Sequence, residues 1–357
     1  MTHLDKNMEV KTAKHDHYMW LDPRNKPFQL TGFPWMEEEQ RYRRLPKAPD
    51  VDISPAVDRL ADCTAGGQIH FKTDTQRLAV KVKLSDKANM GHMPATGQCG
   101  FDCYIGEPNK QRFAGVSHYD HILQHYEVTL FERDGDELID VTLNFPLYQG
   151  VDEVWVGVDK MATIAPPTHK QPKRVIFYGT SITQGGCASR PGMAYTNILS
   201  RRFNMEFINL GFSGNGKGEA GMAHLISEIA RPACLVLDYE ANCVSTQLYK
   251  ETLPRFINIY RTVHPDVPIL VLSKLPYARE AYAKRFLYDR LERLHFQKEL
   301  IEQMRKAGDR HIHFHEGTDL FDPHREECTV DGSHPNDLGF MHMADRLTQV
   351  LKGILDH

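Results

Sequence analysis

Residues 174–186 read RVIFYGTSITQGG, and the fold turns on them. The apolar run Val175–Tyr178 ends in Gly179, with Thr180 and Ser181 directly behind. An unbroken short apolar run is the pattern of a strand buried on both faces. Glycine at its end permits a tight exit from a sheet. Runs of the same kind follow in EFINLG (206–211), ACLVLDYE (233–240) and VPILVLSKLP (267–276). Helical patterns lie at about 195–203, 278–306 and 337–355. Strands alternating with helices imply an α/β domain whose parallel sheet is covered on both faces. In such sheets the working residues sit beyond the strands' carboxyl ends.

Upstream the period changes to two. GGQIHFKTDTQRLAVKVKLSD (66–86), YEVTLFERDGDELIDVTLNFP (126–146) and VDEVWVGVD (151–159) alternate, with a turn at Arg133-Asp134-Gly135-Asp136. This predicts antiparallel hairpins in an all-β sandwich or jelly roll. APPTHKQPK (165–173) carries three prolines among polar residues and reads as a linker. The expected organisation is a jelly-roll-like domain over 1–166, a linker over 167–173 and the α/β domain over 174–357. FQLTGFPWMEEEQRYRRLP (28–46) is too mixed to assign.

A length of 357 residues fits two domains at ~100–200 each, and 41% hydrophobic residues can fill both cores. The net charge of −4 argues against a nucleic-acid partner, and no polybasic run marks a membrane surface. No apolar run reaches transmembrane length, and residues 1–20 lack a signal-peptide core, so a cytoplasmic location is expected. Seven scattered cysteines form no disulfide framework, and Cys99 and Cys103 have no second pair, so reduced thiols are expected. Self-association of the chain stays open.

The chemistry gathers on loops of the second half. Ser181 follows the first strand, where a helix N-terminus can offer its N–H groups to a negative oxygen. Alone, such a serine reads first as a helix cap. Asp331-Gly332-Ser333-His334-Pro335-Asn336 precedes the last helix. A carboxylate three residues before a histidine can reach Nδ1 and fix its tautomer, although Asp, Gly, Ser and Pro also make plain turns. Gly214, whose N–H can approach a ligand, and the Asn242 amide are candidate oxyanion donors. The order Ser…Asp…His is that of α/β serine hydrolases.

GTSITQGG, NLGFSGN, DYEAN and DGSHPN resemble, in order across 179–336, the four blocks of SGNH (GDSL-like) hydrolases. The resemblance implies a flavodoxin-like three-layer domain from Arg174 onward. It also implies Ser181 as nucleophile, His334 as base and Asp331 as its orienter, with an oxyanion hole of Ser181 N–H, Gly214 N–H and Asn242. The first half resembles the β-sandwich that precedes the catalytic domain in a subset of these esterases. There are departures. Thr180 stands where the family has aspartate, and Glu240-Ala241-Asn242-Cys243 replaces Gly-x-Asn-Asp. Glu240 thus becomes a candidate for a sugar hydroxyl, an arginine or a structural ion pair, and Arg190 and Glu219 are polar candidates by position.

The expected function is a serine esterase acting on small acyl esters, acetyl foremost, on a carbohydrate, with no metal or organic cofactor. A lipase, thioesterase or acyltransferase on the same triad is the alternative. A carbohydrate-binding protein without activity is another. Gly211–Gly218 nearly spells a phosphate-binding loop, but Gly218 stands where a hydroxyl is needed. His311, His313 and His315 alternate along a strand and are spaced too widely for one tetrahedral ion. His118, His121 and His125 read as a surface loop or interdomain contact, and Trp20, Trp35 and Trp155 as core or interface.

Overall fold

A computed structural model describes residues 17–168, 171–321 and 327–356. The polar stretch before His17 and residues 169–170 of the proline-rich stretch lie outside them. The first half carries β1 (Tyr18–Leu21), β2 (Gln29–Thr31), β3 (Gln68–Thr73), β4 (Arg77–Leu84), β5 (Asp102–Ile105), β6 (Arg112–Val116), β7 (His125–Glu132), β8 (Ile139–Asn144), β9 (Val151–Asp159) and β10 (Ile164–Ala165). Short helices α1 (Met36–Glu39), α2 (Pro55–Leu60) and α3 (Ala95–Gln98) lie between them. One antiparallel sheet runs β1-β9-β4-β7, the other β10-β3-β8-β5-β6 with β2 also on β3. Alternation explains the packing: Ile69 and Phe71 of one sheet meet Val80, Val82, Val154 and Val156 of the other in a shared core.

The second half carries β11 (Gln171–Gly179), β12 (Met205–Gly211), β13 (Pro232–Asp238), β14 (Ile269–Leu272) and β15 (Ile312–His315). They pair in parallel in the order β12-β11-β13-β14-β15. Helices α4 (Ser181–Gln184), α5 (Tyr195–Phe203), α6 (Ala220–Glu228), α7 (Thr246–Val263), α8 (Lys284–Lys306) and α9 (Asp337–Leu355) surround the sheet. Val175 and Phe177 point into a core shared with Phe340, Met343 and Leu347 of α9. Ile176 and Tyr178 point the other way, toward Leu253 and Phe256 of α7. A three-layer α/β domain follows, with its switch point at the carboxyl ends of β11 and β13. Strand β11 begins at Gln171, inside the stretch expected to be linker. Pro172 is tolerated there because pairing with β12 is interrupted between Gln171 and Arg174.

The outer face of the second antiparallel sheet is also buried, but by polar side chains. Such groups must be hydrogen-bonded to be tolerated. Gln68 Nε2 donates to Asn144 Oδ1 at 2.7 Å and to Ser200 Oγ of α5 at 3.2 Å. Asn144 Nδ2 donates to Asp102 Oδ1 at 2.7 Å, and Arg190 Nη1 donates to Asp102 Oδ2 at 2.8 Å. This network joins the two halves. The mixed segment after Gly32 serves the second half as well: Leu45, Val57 and Ala61 complete the core on the α7 side.

Arg44 drives that docking. It is fully buried, and its guanidinium donates to the carbonyls of Cys63, Asn209, Gly211 and Leu60 at 2.6–3.1 Å. Its charge also lies 4.7 Å over the Phe212 ring. Burial pulls its pKa down to about 10. Arg44→Met keeps the bulk but removes the side-chain donor from four carbonyls, of which Leu60 O keeps a turn bond, from Cys63 N. The expected loss is about 3 kcal/mol of stability, read from urea unfolding. An unchanged midpoint would show that water replaces the guanidinium at no cost.

Candidate active site

The turn that carries Ser181, the candidate nucleophile, is built by local chemistry. Thr180 caps α4: Ile182 N donates to Thr180 Oγ1, and Thr180 N donates to Thr183 Oγ1, both at 3.2 Å. This is a capping box, so the threonine that replaces the family's aspartate still shapes the turn. A Cβ on Gly179 would lie 2.0 Å from Thr183 Oγ1, so only glycine fits there. Thr183 Oγ1 in turn donates to Asp238 Oδ2 at 2.9 Å, and the Tyr195 hydroxyl donates to the same oxygen at 2.8 Å.

Burial pushes the Asp238 carboxyl up to about 6, against the pull of those hydroxyls. A carboxyl whose folded pKa exceeds its unfolded value contributes stability in acid, complete below about pH 4 and lost as pH rises to about 6. Asp238→Asn is expected to remove that slope. The stability difference between variant and wild type should shift by about 3 kcal/mol in the variant's favour from about pH 4 to pH 7. Parallel stability curves for the two proteins would contradict it.

The partner loop lies just before α9. His334 N and Ser333 N donate to Asp331 Oδ1 at 2.8 and 2.9 Å, and His334 Nδ1 meets Asp331 Oδ2 at 2.7 Å. Burial alone would raise the Asp331 pKa, but those N–H groups and the ring outweigh it and hold the carboxyl below its usual range. With Nδ1–H donating to Asp331, Nε2 is free to accept, and Ser181 Oγ sits 2.9 Å from it. Three outside contacts fix the loop. Ala278 N donates to Gly332 O at 2.9 Å, Asn336 caps α9 through Gly339 N at 3.0 Å, and Ser189 N donates to Asp337 at 2.9 Å.

Gly214 and Asn242 lie on turns tied to the same place. Phe212 N donates to Gly179 O at 3.0 Å, and Ser213 N donates to Gln184 Oε1 at 3.0 Å. The next residue, Gly214, has φ +69° and faces open space. Asn242 Nδ2 donates to Phe212 O at 3.1 Å, which leaves its second amide hydrogen available. Among the described residues, neither the Ser181 nor the Gly214 N–H has a protein acceptor.

The other polar candidates are engaged elsewhere. Glu240 is buried and turned away: its Oε2 accepts Lys274 N at 2.7 Å and Gln297 Nε2 at 2.8 Å, so it braces α8 and is closed to a sugar hydroxyl. Arg190 is spent on Asp102 and on the faces of Tyr104 and Phe113, which makes it an interdomain clamp. Glu219 Oε2 accepts the Tyr178 hydroxyl at 2.6 Å and Lys217 N at 3.1 Å, holding the loop before α6. Each sits near the motifs in sequence, but its side chain has a buried partner.

Three residues that sequence spacing gave no signal for stand beside Ser181. Tyr148, from the first half, donates its hydroxyl to Ser181 O at 3.1 Å. The exposed His92, on the loop before α3, has its ring centroid 6.1 Å from that of His334. Cys187 is buried just beyond α4 at φ +74°, its thiol pushed up to about 11 by burial. None of the seven cysteines forms a disulfide. Of the remaining expectations, His313 and His315 lie on β15 with His311 just before it. Trp155 lines a concavity of about 890 Å3 on the sandwich, with Tyr119, Leu123 and Lys81. No helix among the described residues is long and apolar enough to cross a membrane.

Comparison with known proteins assigns both halves of the chain to families. Residues 172–352 match the GDSL-like Lipase/Acylhydrolase family, and residues 18–164 match the N-terminus of Esterase_SGNH_hydro-type. Curated protein sequences gave no match. Among solved structures, a GDSL-like lipase from Bacteroides ovatus is 30% identical with a TM-score of 0.87, covering 95% of this chain and 98% of its own. The salicylyl-acyltransferase SsfX3 is 19% identical with a TM-score of 0.76 over the same shares. A family two carbohydrate esterase from Cellvibrio japonicus is 13% identical with a TM-score of 0.60, again over those shares, and shares the fold. With the family match spanning the α/β half and a 30% identical relative spanning nearly the whole chain, this protein belongs to the GDSL-like lipase/acylhydrolase family and is an ester hydrolase.

Proposed function

We propose that the chain hydrolyses small acyl esters, acetyl foremost, on a carbohydrate, through a covalent acyl-enzyme on Ser181. The observation that carries this reading is the relay Ser181 Oγ–His334 Nε2–Asp331, at 2.9 and 2.7 Å. Ser181 attacks the ester carbonyl as its proton passes to His334 Nε2. Asp331, held ionised by the N–H groups around it, stabilises the imidazolium. The carbonyl oxygen, now negative, takes the N–H groups of Ser181 and Gly214 and the Asn242 amide. His334 returns the proton to the leaving alcohol. Water then repeats the sequence and frees the acid.

The carbohydrate ester reading is supported by the shared architecture with the Cellvibrio japonicus enzyme, sandwich included. The test is a series of p-nitrophenyl esters of rising acyl length, followed by acetylated sugars. Activity highest on acetate and present on acetylated sugars is expected; rates that rise with chain length would replace this substrate with a lipid. One observation favours acyl transfer as a second reading. Val330, next to Asp331 in sequence, and Val244, two residues beyond Asn242, are exposed, which leaves apolar surface for an acceptor. The overall likeness to SsfX3 points the same way. Acyl products formed with added alcohols, in preference to free acid, would decide for it.

A further inference from the structure

One ring nitrogen each of His92 and His334 and the Cys187 Sγ lie within 4.8 Å of one another. The three come from separate places: the loop before α3 in the first half, the turn after α4, and the loop before α9. Nothing in the acyl-transfer chemistry uses His92 or Cys187. From this juxtaposition we infer a binding site for a borderline-soft divalent cation of the zinc class, which turns the enzyme off by occupying its base. The inhibitory part rests on His334 being the proton acceptor; the binding part does not.

The donor set fits. Two imidazoles and a thiolate are ligands that zinc-class ions prefer, whereas magnesium and calcium seek oxygen. A fourth position is left for water or Ser181 Oγ. Tetrahedral Zn–N and Zn–S bonds of about 2.0–2.3 Å place the ligand atoms roughly 3.3–3.6 Å apart. The cluster must therefore close by about 1 Å, a movement open to the exposed His92 side chain. Asp331 already does for His334 what a carboxylate does for a metal-bound histidine: it fixes the tautomer and leaves Nε2 as the ligand atom. Cys187 gives its proton to solvent as its sulfur coordinates. Its left-handed backbone is one that glycine adopts without strain, yet cysteine occupies it. A bound ion takes the lone pair that would accept the Ser181 proton, so catalysis stops. It also staples the sandwich to the catalytic half.

The test uses the full chain with Co²⁺ as a spectroscopic probe and Zn²⁺ as the inhibitor. Co²⁺ should give a thiolate-to-metal charge-transfer band that Cys187→Ser abolishes, with affinity at least tenfold weaker in His92→Ala. Zn²⁺ at ten times its dissociation constant should leave about a tenth of the ester hydrolysis. Chelation should restore activity, and Mg²⁺ should do nothing. Ser181→Ala should keep the Co²⁺ band, so a protein that binds Co²⁺ this way yet hydrolyses no ester would sink the esterase reading and spare the site. Absence of the band, or a band and affinity indifferent to both substitutions, would overturn the inference.

Discussion

Ser181→Ala is expected to lower kcat on p-nitrophenyl acetate by at least about 10⁴-fold with little change in KM. The hydroxyl is the one group at the switch point that combines an acceptor for its proton, 2.9 Å away, with a helix N-terminus beneath it. Removing it leaves the proposed oxyanion donors, which would still speed attack by water, so some rate should survive. His334→Ala should cost about as much, and the double variant no more than either single one, because the two residues act as a unit. Asp331→Ala should cost roughly ten- to a hundredfold less. Its side chain is 36% exposed, so water can take over part of its support of the imidazolium. Fluorophosphonate labelling that vanishes in Ser181→Ala provides a second readout. A Ser181→Ala enzyme within tenfold of wild type would refute the nucleophile assignment.

Asn242→Ala should reduce kcat by about 10²–10³-fold, again with KM nearly constant, because in the proposed mechanism its free amide hydrogen serves charge that exists only after attack. The amide's other hydrogen holds Phe212 O, the carbonyl around which the Gly214 turn folds. Part of the loss could therefore come through Gly214. Gly214→Ala separates the two effects. A Cβ there meets open space, so nothing clashes, yet φ +69° costs an L-residue about 1 kcal/mol and loosens the turn. Its expected loss in kcat is smaller than that of Asn242→Ala. Equal kcat in Asn242→Ala and wild type would remove Asn242 from the oxyanion hole.

The site was legible to the extent that its parts are local. Gly179-Thr180-Ser181 declares itself because a buried strand ending in glycine has few ways out of a sheet, and Asp331 reaches His334 within one turn. The polar candidates show the limit. Glu240, Glu219 and Arg190 stand close to the motifs along the chain, but direction is set by partners far away: Gln297, Tyr178 and Asp102. The linker reading failed at Gln171 for a related reason, since a proline is barred only where its N–H would be needed and the ladder skips that point.

By itself, the sequence determined the two periodicities, hence an antiparallel half and a parallel half. It also pointed to the loops that carry the candidate reactive side chains, because strand ends and helix caps are written in short-range pattern. Only the tertiary structure decided what meets at Ser181. Arg44 anchors the Gly211 turn from 165 residues or more away in sequence, and Tyr148 and His92 arrive from the sandwich. Such contacts follow from how the domain surfaces pack, where burial obliges each polar group to find a partner wherever the fold brings one, and no spacing along the chain records that obligation.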